Sequence, residues 1–563
     1  MSKLLKGAGI LAICALIAKL IGAFYRIPLT NIVGSKGIGL YQMIFPLYVV
    51  LLTISSGGLP VAISRVVASK LATGDEKSAR RVLYVSLVSL TATGALLSVV
   101  LFLLRNVIAH AQGNLSASLG YAGIAPAIVF VAIIACFRGY YQGKQNMLPS
   151  AISQLVEQVI KLGLGLVFAS LLMPRGVEYA VLGALLAVSA SECVTAILLG
   201  TQYLLGEKKR KKKENSAKRT HYVTRTIARD SLLLEASADM TIAHHVHVDK
   251  KQIDKEQNNE HTKEKKRTLL KEIYRVAIPV TLGSMVMPLT QLVDSVLVIN
   301  MLTRLGNSTA AATSAFGLLT GPVGTLINMP VVITLSFAIA LLPKISQCFK
   351  QNKSAQKHIA LSLRFNFFIG LLATLFFAVF GKTVLRILYS GGLSAEEIAL
   401  GAFLLTLGSV SIVYVSLLQV ATSVLQGANK AHKPAINLLI GAVVKIALTF
   451  ALLPTLGIVG AMLATTMCYA VTALLDIYAM QKVAPTQLSV KTFLLVPLFA
   501  GAGFVGIGIL LNQILNTILS SYVSQGIAFV CALVVYMAIL IVFKSIKIDE
   551  IFKLLPFKKR TLK

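Results

Sequence analysis

Tryptophan is absent from the 563 residues, and only 13% of them carry a charge. The charge that is present is lopsided, with 22 Asp and Glu against 54 Lys and Arg, a formal net of +32. In a soluble domain that excess would suggest nucleic acid. Here 56% of the residues are hydrophobic and the mean hydropathy is +0.77, which excludes a soluble domain and turns the excess toward basic loops meeting anionic lipid. No nucleic-acid partner is expected. Cysteine is scarce: Cys14, Cys136, Cys193, Cys348, Cys468 and Cys531 form no CxxC pair, and all but Cys348 fall in apolar runs. They read as small core residues, not as a disulfide frame or zinc site. An HExxH, a phosphate loop and a nucleophile–base constellation are missing as well, so neither an enzyme nor a bound cofactor or metal is expected. Without tryptophan, tyrosine and phenylalanine must form the interfacial belt.

What the chain has in abundance is apolar runs. Fourteen are long enough to cross a bilayer: 7–30, 40–64, 82–108, 121–143, 151–173, 179–204, 273–302, 316–342, 359–381, 398–426, 434–453, 457–480, 492–515 and 522–543. The first exceeds a signal-peptide core, lacks an A-x-A site and is interrupted by Lys19, so it is expected to be retained. Arg80, Arg81, Lys430, Lys433 and the basic tail from Lys544 share one side when both termini are placed in the cytoplasm. The positive-inside bias favours that orientation. Residues 205–272 open with EKKRKKK, close with KEKKRTLLKE and show little apolar periodicity between. They are expected to be a largely disordered cytoplasmic loop whose basic ends meet anionic lipids, or an inert linker. HHVH at His244–His247 is a weak metal motif with no supporting cysteine.

An internal repeat organises the runs. QGKQNMLPSAISQLVEQVIK from Gln142 resembles QGANKAHKPAINLLIGAVVK from Gln426, and both end on a lysine, Lys161 or Lys445. AVLGALLA around Gly183 matches GIVGAMLA around Gly460, and DEKSARR at Asp75 matches QNKSAQK at Gln351. Six helices per repeat means that both halves enter the membrane from the same side. Their axis should therefore run along the membrane normal, with a transport site between them. The expected architecture is all-α and polytopic: a lobe over 1–204, the loop 205–272, a second lobe over 273–482, and two additional helices with a basic tail over 483–563.

A cation at membrane depth costs at least about 2.5–3.5 kcal/mol, so it faces a wet cavity or a partner. Lys19 lies midway along the first run, Arg26 is seven positions on and on the same face, and Arg65 ends the second run. Together they can form a ladder for an anion such as a diphosphate; alternatively Arg26 and Arg65 snorkel to headgroups and Lys19 pairs with a distant acid. Arg138, in FRGYYQGK, is an interfacial anchor or a further substrate contact. Glu157 and Lys161, four apart, are placed for a structural ion pair. Lys445 has no acid four residues before it, and Asp294 in LTQLVDSVLVI is its candidate partner or, alternatively, a Na⁺ or proton site. Ser55-Ser-Gly-Gly-Leu-Pro60 should kink the second run and free backbone groups for a cavity or a neighbouring helix to satisfy.

The hairpin AKLIGAFYRIPLTNIVGSKGIGLYQ and SSGGLPVAISRVVA resembles the polysaccharide-transport and stage V sporulation protein B group. That group is related to the MurJ-like lipid II flippases within the multidrug/oligosaccharidyl-lipid/polysaccharide exporter superfamily. The resemblance covers nearly the whole chain except the central loop. It implies alternating access around a central cavity and export of an undecaprenyl-diphosphate-linked saccharide across the bacterial cytoplasmic membrane by a monomer, with Lys19 and Arg26 at the diphosphate. It also implies a cation site using an acid on the seventh helix and Asn plus Asp on the eleventh. Asp294 and Asn437 match, but the second eleventh-helix position falls near Gly441, and Lys445 follows one turn later. A multidrug cation antiporter on the same fold is the alternative, and the cationic hairpin argues against it. A membrane glycosyltransferase would need a sizeable external catalytic loop.

Overall fold

The computed structural model describes residues 3–236, 266–351, 354–543 and 545. The HHVH motif and nearly all of the C-terminal tail lie outside them. The described residues are helical almost throughout. α1 covers Lys3–Ser56, α2 Leu59–Ala72, α3 Glu76–Ala111, α4 Ala117–Gly143, α5 Leu148–Leu172 and α6 Val177–Ala236. The second half follows as α7 Lys266–Arg304, α8 Thr309–Leu318, α9 Gly324–Lys350, α10 Gln356–Tyr389, α11 Ala395–Gly427, α12 His432–Leu456 and α13 Ile458–Val483. α14 Val496–Leu515 and α15 Ser521–Val542 complete it.

These helices make the fourteen spans. At 1.5 Å per residue an unbroken α1 would far exceed a bilayer core of about 30 Å. Gly34, with φ 68° and ψ −175°, divides it into two limbs, a conformation that a Cβ would oppose. α8 and α9 are joined through one π turn, Leu319–Val323, containing Pro322, and form a single span. α1 to α6 build the first lobe and α7 to α13 the second, as the repeat requires. α14 and α15 dock on α10 through Phe380, Phe504 and Phe529, and Tyr536 donates to the Phe368 carbonyl at 3.2 Å.

The bundle has a basic end, carrying Lys70, Arg80, Lys144, Lys430 and Lys433, and a far end carrying Gly34, Asn114 and Ser394. The Ser-Ser-Gly-Gly-Leu-Pro run breaks the second span between α1 and α2. The freed Gly58 N–H is satisfied by a neighbouring helix, donating to Thr281 Oγ1 on α7 at 2.9 Å. A Cβ on Gly58 would sit 2.9 Å from the Ala277 Cα, so this crossing is built for glycine. Overpacking of this kind costs about 1–3 kcal/mol. Gly58→Ala should lower the melting temperature of the purified protein, whereas Gly506→Ala, with open surroundings, should leave it unchanged; a thermal melt in detergent compares them.

One expectation is corrected. Residues 205–236, taken as the start of a disordered loop, continue α6 as helix, and 266–272 belong to α7. A transmembrane helix already supplies the costly nucleus, and Lys, Arg and Glu propagate it well. Arg80 and Arg210 hold this extension through Glu207, at 3.2 and 3.0 Å.

Candidate functional site

The two lobes are joined at the far end by a set of hydrogen bonds between them. Ser35 donates to Glu397, whose other oxygen caps α11 by accepting from the Ser394 N–H at 2.9 Å. Asn31 Nδ2 donates to the Leu388 carbonyl at 2.8 Å, Gln42 Nε2 to the Thr320 carbonyl at 2.6 Å, and Asn114 Nδ2 to Thr313 Oγ1 at 2.9 Å. Toward the basic end the bonds between lobes found among the described residues are Gly58 to Thr281, and Ser89 with Tyr274 at 3.3 Å.

Between these closures lies a cavity of about 580 Å³, walled by α1, α4 and α5 of the first lobe and α7 and α9 of the second. Lys19 and Arg26 share one face of the first limb of α1, and both line it. Neither has a carboxylate at ion-pair distance among the described residues. Arg138 and Lys161 line it too, so four cations face one acid, Glu157. Gln154, Gln158, Gln291 and Asn328 add polar groups, and Tyr41 and Phe45 an aromatic wall. A chamber with this excess of positive charge favours an anion, because field lines concentrate between low-dielectric walls.

The expected pair of Glu157 with Lys161 does not form. Arg138 takes Glu157 instead: its Nη2 donates to Oε2 at 2.9 Å and its Nε to Ser153 Oγ at 2.9 Å, while Gln158 Nε2 donates to Glu157 Oε1 at 2.9 Å. A fork of guanidinium donors from the adjacent helix outcompetes one ammonium on the same helix. Lys161 thus keeps its charge uncompensated at ion-pair range. Arg65 is exposed on α2 and is not among the residues lining the cavity, so the structure gathers Lys19, Arg26 and Arg138 but leaves Arg65 apart.

In the second lobe, Lys445 donates to the Asp294 carboxylate across α12 and α7, with side chains only 7% and 18% exposed. Asn437, two turns before Lys445, does not join them. Its Nδ2 donates to Asp476 Oδ1 at 2.6 Å, and Thr422 Oγ1 donates to Asp476 Oδ2 at 2.9 Å. The repeat register that pairs Gln142 with Gln426 also pairs Arg138 with Thr422 and Ser153 with Asn437. In that register Asp476 answers to Glu192 and Glu157 to Gly441, so the equivalent donors hold different carboxylates: Arg138 neutralises Glu157, and neutral donors alone, among the described residues, hold the fully buried Asp476. Asp476 escaped the sequence reading, although a lone acid in ATTMCYAVTALLDIYAM carries the same signal as Asp294. Among the described residues no group of three or more His, Cys, Asp or Glu is placed to hold a metal ion.

The family described as polysaccharide biosynthesis protein matches residues 4–233. Stage V sporulation protein B of Bacillus subtilis (strain 168) is 30% identical over 556 residues, 97% of this chain and 96% of that protein. Lipid II flippase MurJ of the same organism is 24% identical over 479 residues, 83% of this chain and 80% of that one. Among solved structures, lipid II flippase MurJ in an inward closed conformation superposes with a TM-score of 0.66 at 11% identity, covering 96% of this chain and 99% of that one. An inward-facing multidrug resistance MATE family transporter gives 0.59 at 15% identity, covering 83% and 94%. With both lobes and the added helix pair accounted for, the chain belongs to the stage V sporulation protein B-like family of polysaccharide-transport proteins, relatives of the MurJ-like lipid II flippases.

Proposed function

We propose that the chain is a flippase that exports an undecaprenyl-diphosphate-linked saccharide, a cell-wall or related polysaccharide precursor, across the cytoplasmic membrane by alternating access. The observation that carries this reading is the pair Lys19 and Arg26, uncompensated in a cavity between the lobes. The basic end faces the cytoplasm, where the positive-inside bias puts it. The diphosphate enters the cationic chamber, the prenyl tail stays in lipid, and the lobes rock until the far-end bonds open. The same cations oppose a cationic drug as cargo. Complementation of a strain depleted of its lipid II flippase tests the reading: rescue of growth supports it, and failure by a well-expressed, membrane-inserted chain contradicts it for lipid II.

The driving ion is assigned to the second lobe. Lys445 already neutralises Asp294, whereas Asp476 meets only amide and hydroxyl donors among the described residues. A buried carboxylate so placed needs a proton or a monovalent cation to offset its desolvation. Asp476→Asn should reduce transport driven by an imposed pH or Na⁺ gradient in proteoliposomes to the rate seen without a gradient, with ungradiented exchange retained. Gradient stimulation equal to that of the parent would remove Asp476 from the coupling role.

A further inference from the structure

At the basic end of the first lobe a second cavity, of about 630 Å³, lies where α4, α5 and α6 end. We propose that it holds the phosphate headgroup of an anionic phospholipid drawn from the leaflet at that end. Lys144 reaches it with an ammonium 5.2 Å from the Tyr140 ring centroid and with no carboxylate at ion-pair distance among the described residues. Arg210, opposite on α6, is oriented by Glu207 at 3.0 Å and Glu76 at 3.8 Å. Glu207 and Glu76 balance Arg210 and Arg80, so Lys144 supplies the net positive charge of the space.

The other lining groups suit a headgroup more than a bare ion. The hydroxyls of Tyr140, Tyr141 and Tyr203 make no hydrogen bond among the described residues, and their rings are at home at a membrane interface. Gln202 Oε1 is buried and lacks a donor, a deficit that costs stability and that a glycerol hydroxyl would relieve. The rim decides the source. Leu148 and Ile152, 54% and 39% exposed, line the mouth on α5, giving acyl chains an apolar path that a soluble phosphate ester would not use.

The test uses the full chain purified in neutral detergent, with native mass spectrometry reading retained lipid after addition of phosphatidylglycerol or phosphatidylcholine. Phosphatidylglycerol should be retained at least about tenfold over phosphatidylcholine, the factor that one charge-assisted hydrogen bond supplies. Lys144→Gln should remove most of that preference, Lys144→Arg should keep it, and Lys433→Gln, at the same end of the second lobe, should not change it. A thermal melt without lipid checks that Lys144→Gln still folds. Glycerol phosphate and inorganic phosphate form a separate arm. Stabilisation by them that depends on Lys144 and equals that given by the lipid would overturn the lipid assignment. Equal retention of the two lipids, or a Lys144→Gln variant indistinguishable from the parent, would overturn the site itself.

Discussion

Replacing Lys19 and Arg26 together by alanine is expected to lower export of a diphosphate-linked prenyl saccharide by about a hundredfold or more, while the protein still inserts normally. A hydrogen bond to a charged group contributes about 1.5–3 kcal/mol, and about 1.4 kcal/mol is a factor of ten, so each cation accounts for one to two decades. The two should differ in detail. Lys19→Arg preserves a cation that acts as a point charge, but Arg26→Lys gives up a two-pronged grip on phosphate oxygens and should cost more. Growth rescue of the flippase-depleted strain, normalised to membrane abundance, makes the comparison. Full rescue by the double alanine variant would show that the cavity cations do not hold the cargo.

The second large effect belongs to Asp294 and Lys445. Removing either one leaves an uncompensated charge in the bundle interior, a loss of about 3–5 kcal/mol. Asp294→Leu or Lys445→Met alone should cut folded yield and melting temperature sharply. The double variant should recover most of both, because an apolar pair of similar volume replaces a buried ion pair at little net cost. A double-mutant cycle on melting temperature tests this, and additive losses would contradict it.

The sequence made the lobes legible because the repeat is written in residues that position helices: the Gln-Gly turn, the Pro-Ala-Ile entry and the shared lysine. It made Lys19 and Arg26 legible because a cation inside an apolar run has few explanations. It found the Asp294 partner of Lys445 on another helix but failed at Glu157. Spacing of four pointed Glu157 at Lys161, yet Arg138, nineteen residues away, reaches it across the α4–α5 packing. Asp294 and Asn437, grouped by resemblance, answer to different partners, Lys445 and Asp476, and position 441, where the resemblance puts a second acid, is a glycine. The helical continuation of α6 was hidden because a charged surface helix lacks an apolar stripe, the signal by which helices are read.

If the chain is the flippase proposed above, the uneven closure of the two ends among the described residues sets what the empty protein does between cargoes. Each lost hydrogen bond at the far end costs about 0.5–1.5 kcal/mol net, and those of Asn31, Ser35, Gln42 and Asn114 must break together for that mouth to part, while the bond from Gly58 to Thr281 is already made and offers nothing in exchange. An unloaded molecule is then expected to wait with its far mouth shut. Departure from that waiting state becomes contingent on a passenger whose negative charge quiets the repulsion among the cavity cations.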